Sequence, residues 1–179
     1  HNEMPEPARY IGTEIYSSNF ENDAAGWVVY AQQGASAELS RTENSLTVSI
    51  FNAGSETWHV QLVRNNFNLE AGKKYKVTFT AKSNNIRSID VNMGMSVSPW
   101  SAYSDYYGFT LYDSLVTYSF VFDMNTNDND ARIAFDLGKS TEDVTISEII
   151  LEEVYLDTQT LKADLENFST RIFPNPFND

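Results

Sequence analysis

Residues Glu56–Ser83 read ETWHVQLVRNNFNLEAGKKYKVTFTAKS, and the alternation inside this stretch decides the fold. Parity sorts its first half: Trp58, Val60 and Leu62 fall on one face, and His59, Gln61, Val63 and Asn65 fall on the other. After the turn at Glu70-Ala71-Gly72, the residues Tyr75, Val77, Phe79 and Ala81 alternate with Lys76, Thr78, Thr80 and Lys82. Two neighbouring strands with one apolar face each predict an antiparallel sheet laid over a core. Trp58 is expected in that core. The opposite face of the first strand carries hydrogen-bonding side chains, which makes it the place to look for a ligand.

The same pattern continues on both sides. Short alternating segments occur at Ala37-Leu39, Leu46-Val48-Ile50, Ile89-Val91-Met93, Tyr118-Phe120-Phe122, Ile133-Phe135-Leu137 and Val144-Ile146-Ile149. Turn-forming Asn, Asp, Gly and Ser separate them, as in Asn52-Ala53-Gly54-Ser55 and Asn125 to Asp130. Many short strands with such connections predict an all-β fold, an antiparallel β-sandwich of jelly-roll type. Residues 1–15, with Pro5 and Pro7 among acidic residues, read as a linker; residues 16–154 form the domain, and residues 155–179 read as a polar linker and tail. The opening His1-Asn2-Glu3 carries no signal peptide, so the chain reads as a segment of a longer protein.

Composition narrows the function. A net charge of −13 argues against nucleic acid and anionic membranes as partners, since both need basic patches. There is no cysteine for disulfides or thiol chemistry, and the only histidines are His1 and His59. A His-dependent triad would rest on His59 alone, and no GxSxG, Walker or GxGxxG pattern is present. Paired carboxylates can hydrolyse glycosides, and Asp90 with Asp136 is the pair to watch.

A binding face has more support. Parity leaves Asp90 and Asn92 outward in Arg87–Gly94, and Arg132 and Asp136 outward in Ala131–Gly138. With His59, Gln61 and Asn65, these planar, forked groups can each take two sugar hydroxyls. Sugar rings also stack their C–H faces on flat aromatic side chains. Tyr30 and the loop residue Trp100 are placed to supply them, with Tyr103, Tyr106 and Tyr107 nearby, whereas Trp27 reads as core.

Six blocks occur in order across residues 16 to 153: Asn19-Phe20-Glu21, Gly26-Trp27-Val28-Val29-Tyr30, Trp58-His59-Val60-Gln61-Leu62, Leu69 to Ala81, Arg87 to Gly94, and Ala131 to Gly138. In these blocks the chain resembles a carbohydrate-binding module of the family 4/9 type, related to families 16 and 22. The resemblance implies a jelly-roll sandwich with a cleft across its concave sheet that holds a single β-glucan or xylan chain. It implies that Tyr30 and Trp100 are platforms and that Gln61 or Asn65, Asp90 to Asn92, Arg132 and Asp136 are polar cleft positions. Many relatives carry a structural calcium ion between the first and last strands. Its ligand positions correspond to Asn19, Glu21, the backbone near Asn44, and Ser147, where the family has an aspartate. At the other end, Phe173-Pro174-Asn175-Pro176-Phe177-Asn178 resembles the start of a type IX secretion C-terminal sorting domain. That implies a secreted or cell-surface protein.

The expectation is a non-catalytic, monomeric module in a larger chain, holding a β-linked polysaccharide for an attached glycoside hydrolase. Competing readings are a xylan-binding module, a polysaccharide-cleaving domain using Asp90 and Asp136, and a structural or adhesion spacer.

Overall fold

The computed structural model describes residues 9–22 and 24–172. Among these, the strands are β1 (Tyr10–Ser18), β2 (Trp27–Ala31), β3 (Ser36–Thr42), β4 (Ser45–Asn52), β5 (Val60–Leu69), β6 (Lys74–Ser83), β7 (Arg87–Gly94), β8 (Tyr107–Leu111), β9 (Val116–Asp123), β10 (Asp128–Asp136) and β11 (Val144–Leu156). One 3-10 turn, Thr57–His59, precedes β5, and helix α1 (Thr158–Ile172) follows β11. The strands form two antiparallel sheets, a sandwich as expected. One sheet has the order β2-β5-β10-β7-β8; the other has β3-β4-β11-β6-β9, with β1 also on β11.

β11 is long enough to seat two strands on one edge. Val144–Ile146 pairs with β4, Ile149–Leu156 pairs with β1, and β6 takes the opposite edge.

The core is the apolar parity of each strand, closed by aromatic rings from both sheets. Phe79 of β6 and Phe135 of β10 are fully buried and meet edge to face at 5.2 Å. Trp27 lies 6.1 Å from Phe135 and donates its indole N–H to the Tyr16 hydroxyl. Tyr107 stacks on Phe120 at 4.5 Å where β8 meets β9. Truncating one such buried ring costs about 3–5 kcal/mol, because the cavity left behind does not fully collapse. Within β5 the inward parity runs Val60, Leu62, then Phe67, Leu69, and so slips by one residue. Asn66 absorbs the slip as a bulge with φ of 69°, a conformation that asparagine tolerates better than most residues.

Both expected linkers are shorter than the sequence suggests. Tyr10–Ile15 belongs to β1, whose side chains are largely exposed. The strand is held by its backbone ladder to β11, so hydropathy gives no sign of it. At the other end β11 continues to Leu156, and Asp157 N–H donates to the Arg9 carbonyl at 2.9 Å. Residues 158–172 then form α1, where Leu, Lys, Ala and Glu supply helix propensity despite the segment's polarity. The Phe173–Asn178 motif and residues 1–8 lie outside the described residues.

Candidate ligand-binding cleft

Strand register assembles the site. One row crosses the five-stranded sheet from Tyr30 to Gln61, Asp136, Asp90 and Gly108. The next row runs Val28, Val63, Ala134 and Asn92. Arg132, opposite Gly94, lies one step further along β10. All of these side chains point away from the core, yet Gln61, Val63, Asn92, Ala134 and Asp136 are each less than a tenth exposed. The face is therefore recessed, and it forms a cleft of about 880 Å³, within the range typical of ligand pockets.

The cleft's rim is aromatic and its floor is polar. Tyr30 and Trp58 stand toward the β2–β5 side, and Trp100 and Tyr106 come from the loop between β7 and β8; all four rings are between 41% and 61% exposed. On the floor, the Gln61 amide donates to Asp136 Oδ1 at 2.7 Å, and Gln32 Nε2 donates to Gln61 Oε1 at 3.3 Å. This relay fixes which oxygen of Asp136 faces the open cleft. Burial pushes the Asp136 carboxyl above the usual carboxylate range; the Gln61 bond and the Arg132 charge oppose that rise, and Asp90 adds to it. Burial likewise lowers the Arg132 guanidinium, against the attraction of Asp136. Arg132 Nε is buried without a hydrogen-bond partner.

Most of the expected polar positions come together here: Tyr30, Gln61, Asn65, Asp90, Asn92, Trp100, Arg132 and Asp136 all line the cleft. Three expectations need correction. Trp58 lines the cleft and is 41% exposed, whereas it was expected in the core. His59 was expected in the site but is buried, and its Nδ1 accepts from Ser55 N–H at 3.1 Å. One cause underlies both. Strand β5 starts only at Val60, and the preceding 3-10 turn has three residues per revolution, so alternation does not apply to Trp58 and His59. The turn lies directly on Gly138, where any Cβ would overlap the Glu56 carbonyl.

The third correction concerns Tyr103, which does not line the cleft. Its ring packs against the core and its hydroxyl donates to Asp128 Oδ2 at 2.6 Å. Burial first, then that bond, push its pKa up to about 12. Sequence reasoning also missed Gln32, Thr57, Ser96 and Pro99 as lining residues, and ranked Tyr106 only as a neighbour. Tyr106 had the same signal as Trp100, an aromatic residue in a polar loop. Gln32 had none, because its place depends on its contact with Gln61.

The expected calcium positions lie around the end of β1. Glu21 and Asn44 do meet, in a shallow depression shared with Arg41, Thr42 and Glu43. There Arg41 Nε donates to the Phe20 carbonyl at 2.9 Å, and Arg41 Nη2 donates to the Glu21 carbonyl. Asn19 Oδ1 accepts from Glu21 N–H at 3.1 Å, and Ser147 Oγ donates to the Thr80 carbonyl at 3.5 Å. Among the described residues, no group of three or more His, Cys, Asp or Glu is arranged so that it could hold a metal ion. Calcium takes six to eight oxygens, several of them carboxylate. Here a guanidinium already donates to two of the carbonyls at this corner.

A two-sheet sandwich with an aromatic-rimmed, polar-floored cleft on one sheet defines a class of sugar-holding modules. The chain belongs to the carbohydrate binding domain family CBM 4/9, whose model matches residues 13–143. No curated protein matches the chain. Among solved structures, a CBM4 module is similar with a TM-score of 0.67 at 23% identity, over 79% of this chain and 97% of its own. The second N-terminal cellulose-binding domain of Cellulomonas fimi β-1,4-glucanase C gives 0.64 at 20% identity, over 79% and 95%. The CBM22-1 xylan-binding domain of Paenibacillus barcinonensis Xyn10C gives 0.58 at 10% identity, over 79% and 95%. At these identities the likeness bears on the fold.

Proposed function

We propose that this carbohydrate-binding module takes a single β-linked glucan chain into the cleft and keeps an attached, secreted glycoside hydrolase on its polysaccharide. The observation that carries the reading is the pairing of exposed rings, Tyr30 with Trp58 and Trp100 with Tyr106, around a floor of amide, carboxylate and guanidinium groups. A flat ring receives the C–H face of a pyranose, and the forked groups take its hydroxyls. A cleft on a sheet face suits one chain better than a crystalline surface. Binding without cleavage also agrees with the floor, where one Asp136 oxygen is committed to Gln61. Export is supported by the resemblance of Phe173–Asn178 to a sorting-domain start.

Titration calorimetry with laminarin, mixed-linkage β-glucan and xylan tests the reading. Binding to a glucan, with no release of reducing ends, is expected, and Trp100→Ala should weaken it by about tenfold or more, by analogy with nucleobases, whose stacking on one aromatic ring contributes about 1–3 kcal/mol. Preference for xylan would move the substrate to the second reading. Release of reducing ends would replace the binding role with catalysis.

A further inference from the structure

The ring of Trp100 sits on an arm, residues 95–106, between β7 and β8. Trp100 has φ of 54°, a left-handed conformation that a bulky side chain keeps only where its surroundings hold it. Two kinds of contact hold this arm. Its backbone folds on itself, through Met95 N–H to the Ser101 carbonyl at 2.9 Å and Trp100 N–H to the Val97 carbonyl at 2.8 Å, and on β7, through Tyr103 N–H to the Met93 carbonyl at 2.8 Å. The second kind comes from the first residues of β10. Asp130 Oδ2 accepts from Ser96 Oγ at 2.7 Å, and its Oδ1 accepts from the Asn66 N–H at 3.1 Å. Asp128 Oδ2 accepts from the Tyr103 hydroxyl, while its Oδ1 accepts from Asp130 N–H at 2.8 Å.

The two carboxylates therefore grip the arm on either side of Trp100, at Ser96 and at Tyr103. Asp130 also ties the arm to the β5 bulge at Asn66, so the platform is registered to the strand that carries Gln61. Neither aspartate lines the cleft, and both are only partly buried. We infer that Asp128 and Asp130 are positioning residues, which fix the arm so that Trp100 is preorganised as a sugar platform. This rests on the glycan-binding reading of the cleft. Preorganisation raises affinity by removing the cost of ordering the arm when the sugar arrives.

The test is a double-mutant cycle on the full chain, read by calorimetry with mixed-linkage β-glucan and laminarin. Asp130→Ala is expected to weaken binding about three- to tenfold, the size of ordering one side chain and its loop. Asp130→Asn keeps an acceptor for Asn66 and a polar partner for the Ser96 hydroxyl, and should bind like the wild type. In a Trp100→Ala background, Asp130→Ala should have no further effect, because the residue acts through the ring. Acrylamide quenching of Trp100, read in a Trp58→Phe background, should rise in Asp130→Ala. Tyr103→Phe, which removes the hydroxyl held by Asp128 at a residue outside the cleft, serves if Asp130→Ala does not fold, and should show the same loss. Equal losses with and without Trp100, or no loss from either Asp130→Ala or Tyr103→Phe, would overturn the inference while wild-type binding keeps the cleft reading intact. Failure of the wild type to bind any tested glycan would overturn both.

Discussion

Trp58 and His59 are neighbours in sequence with opposite surroundings, and their rings meet edge to face at 4.4 Å. Trp58 is open to the cleft, whereas His59 is buried behind it, under Gly54, where a Cβ would overlap the imidazole. Gly54 has φ of 67°, so a side chain there would face both a strained backbone and this contact. The two residues should therefore separate stability from binding. Trp58→Ala is expected to leave the unfolding midpoint close to wild type and to cut glucan affinity about tenfold. His59→Ala leaves the Ser55 N–H without its acceptor and is expected to cost about 1–3 kcal/mol in stability. Urea denaturation and calorimetry on the two variants measure both quantities. A large affinity loss in a fully folded His59→Ala would return the histidine to the site.

At the scale of elements, the strand ends rather than the strands carry the surprises. β1 and β4 abut along one edge of β11, and the gap between their ends is bridged by Arg41 of β3 reaching the carbonyls of Phe20 and Glu21. Arg41→Ala should destabilise the fold by about 1 kcal/mol, the net size of an ordinary hydrogen bond, because the side chain is exposed. A chelator should leave the wild-type melting temperature unchanged. A fall of several degrees on adding the chelator would put a metal at this corner. The sequence is legible where strands are regular. Asp90, Asn92, Arg132 and Asp136 lie within regular strands, Asp136 as the last residue of β10, so parity alone places them on the cleft floor. Tyr30 and Trp100 are legible as aromatic residues with no core to occupy. Trp58, His59 and Tyr103 are not legible, because a 3-10 turn seated on Gly138 and a carboxylate on β10 decide where they point. β1 is equally hidden, since its ladder lies in backbone groups that hydropathy does not see.

At the scale of the whole molecule, one buried carboxyl links the cleft to overall stability. The Asp136 pKa lies above its ordinary value of 3.8, raised by burial. In the window between the unfolded value and that raised value, the folded chain holds a proton that the unfolded chain has lost. Stability from this group therefore falls as pH rises through the window. Glu153, lowered chiefly by the hydrogen bond from Tyr155, has the opposite sign, so the bulk pH profile mixes the two. Asp136→Asn isolates the effect: relative to wild type it should gain stability as pH rises above the ordinary carboxylate value of 3.8, measured by urea denaturation at each pH. A wild-type–variant difference that stays flat with pH would show that Asp136 titrates normally. The pairing of Tyr10 with Leu156, closed by Asp157 N–H on the Arg9 carbonyl, has a consequence for architecture. The polypeptide comes in and goes out of the sandwich at adjacent points, on the sheet that does not carry the cleft. A domain wired in this way can be spliced into a surface loop of another domain without prying that loop apart, and can be strung in tandem copies with every groove left open.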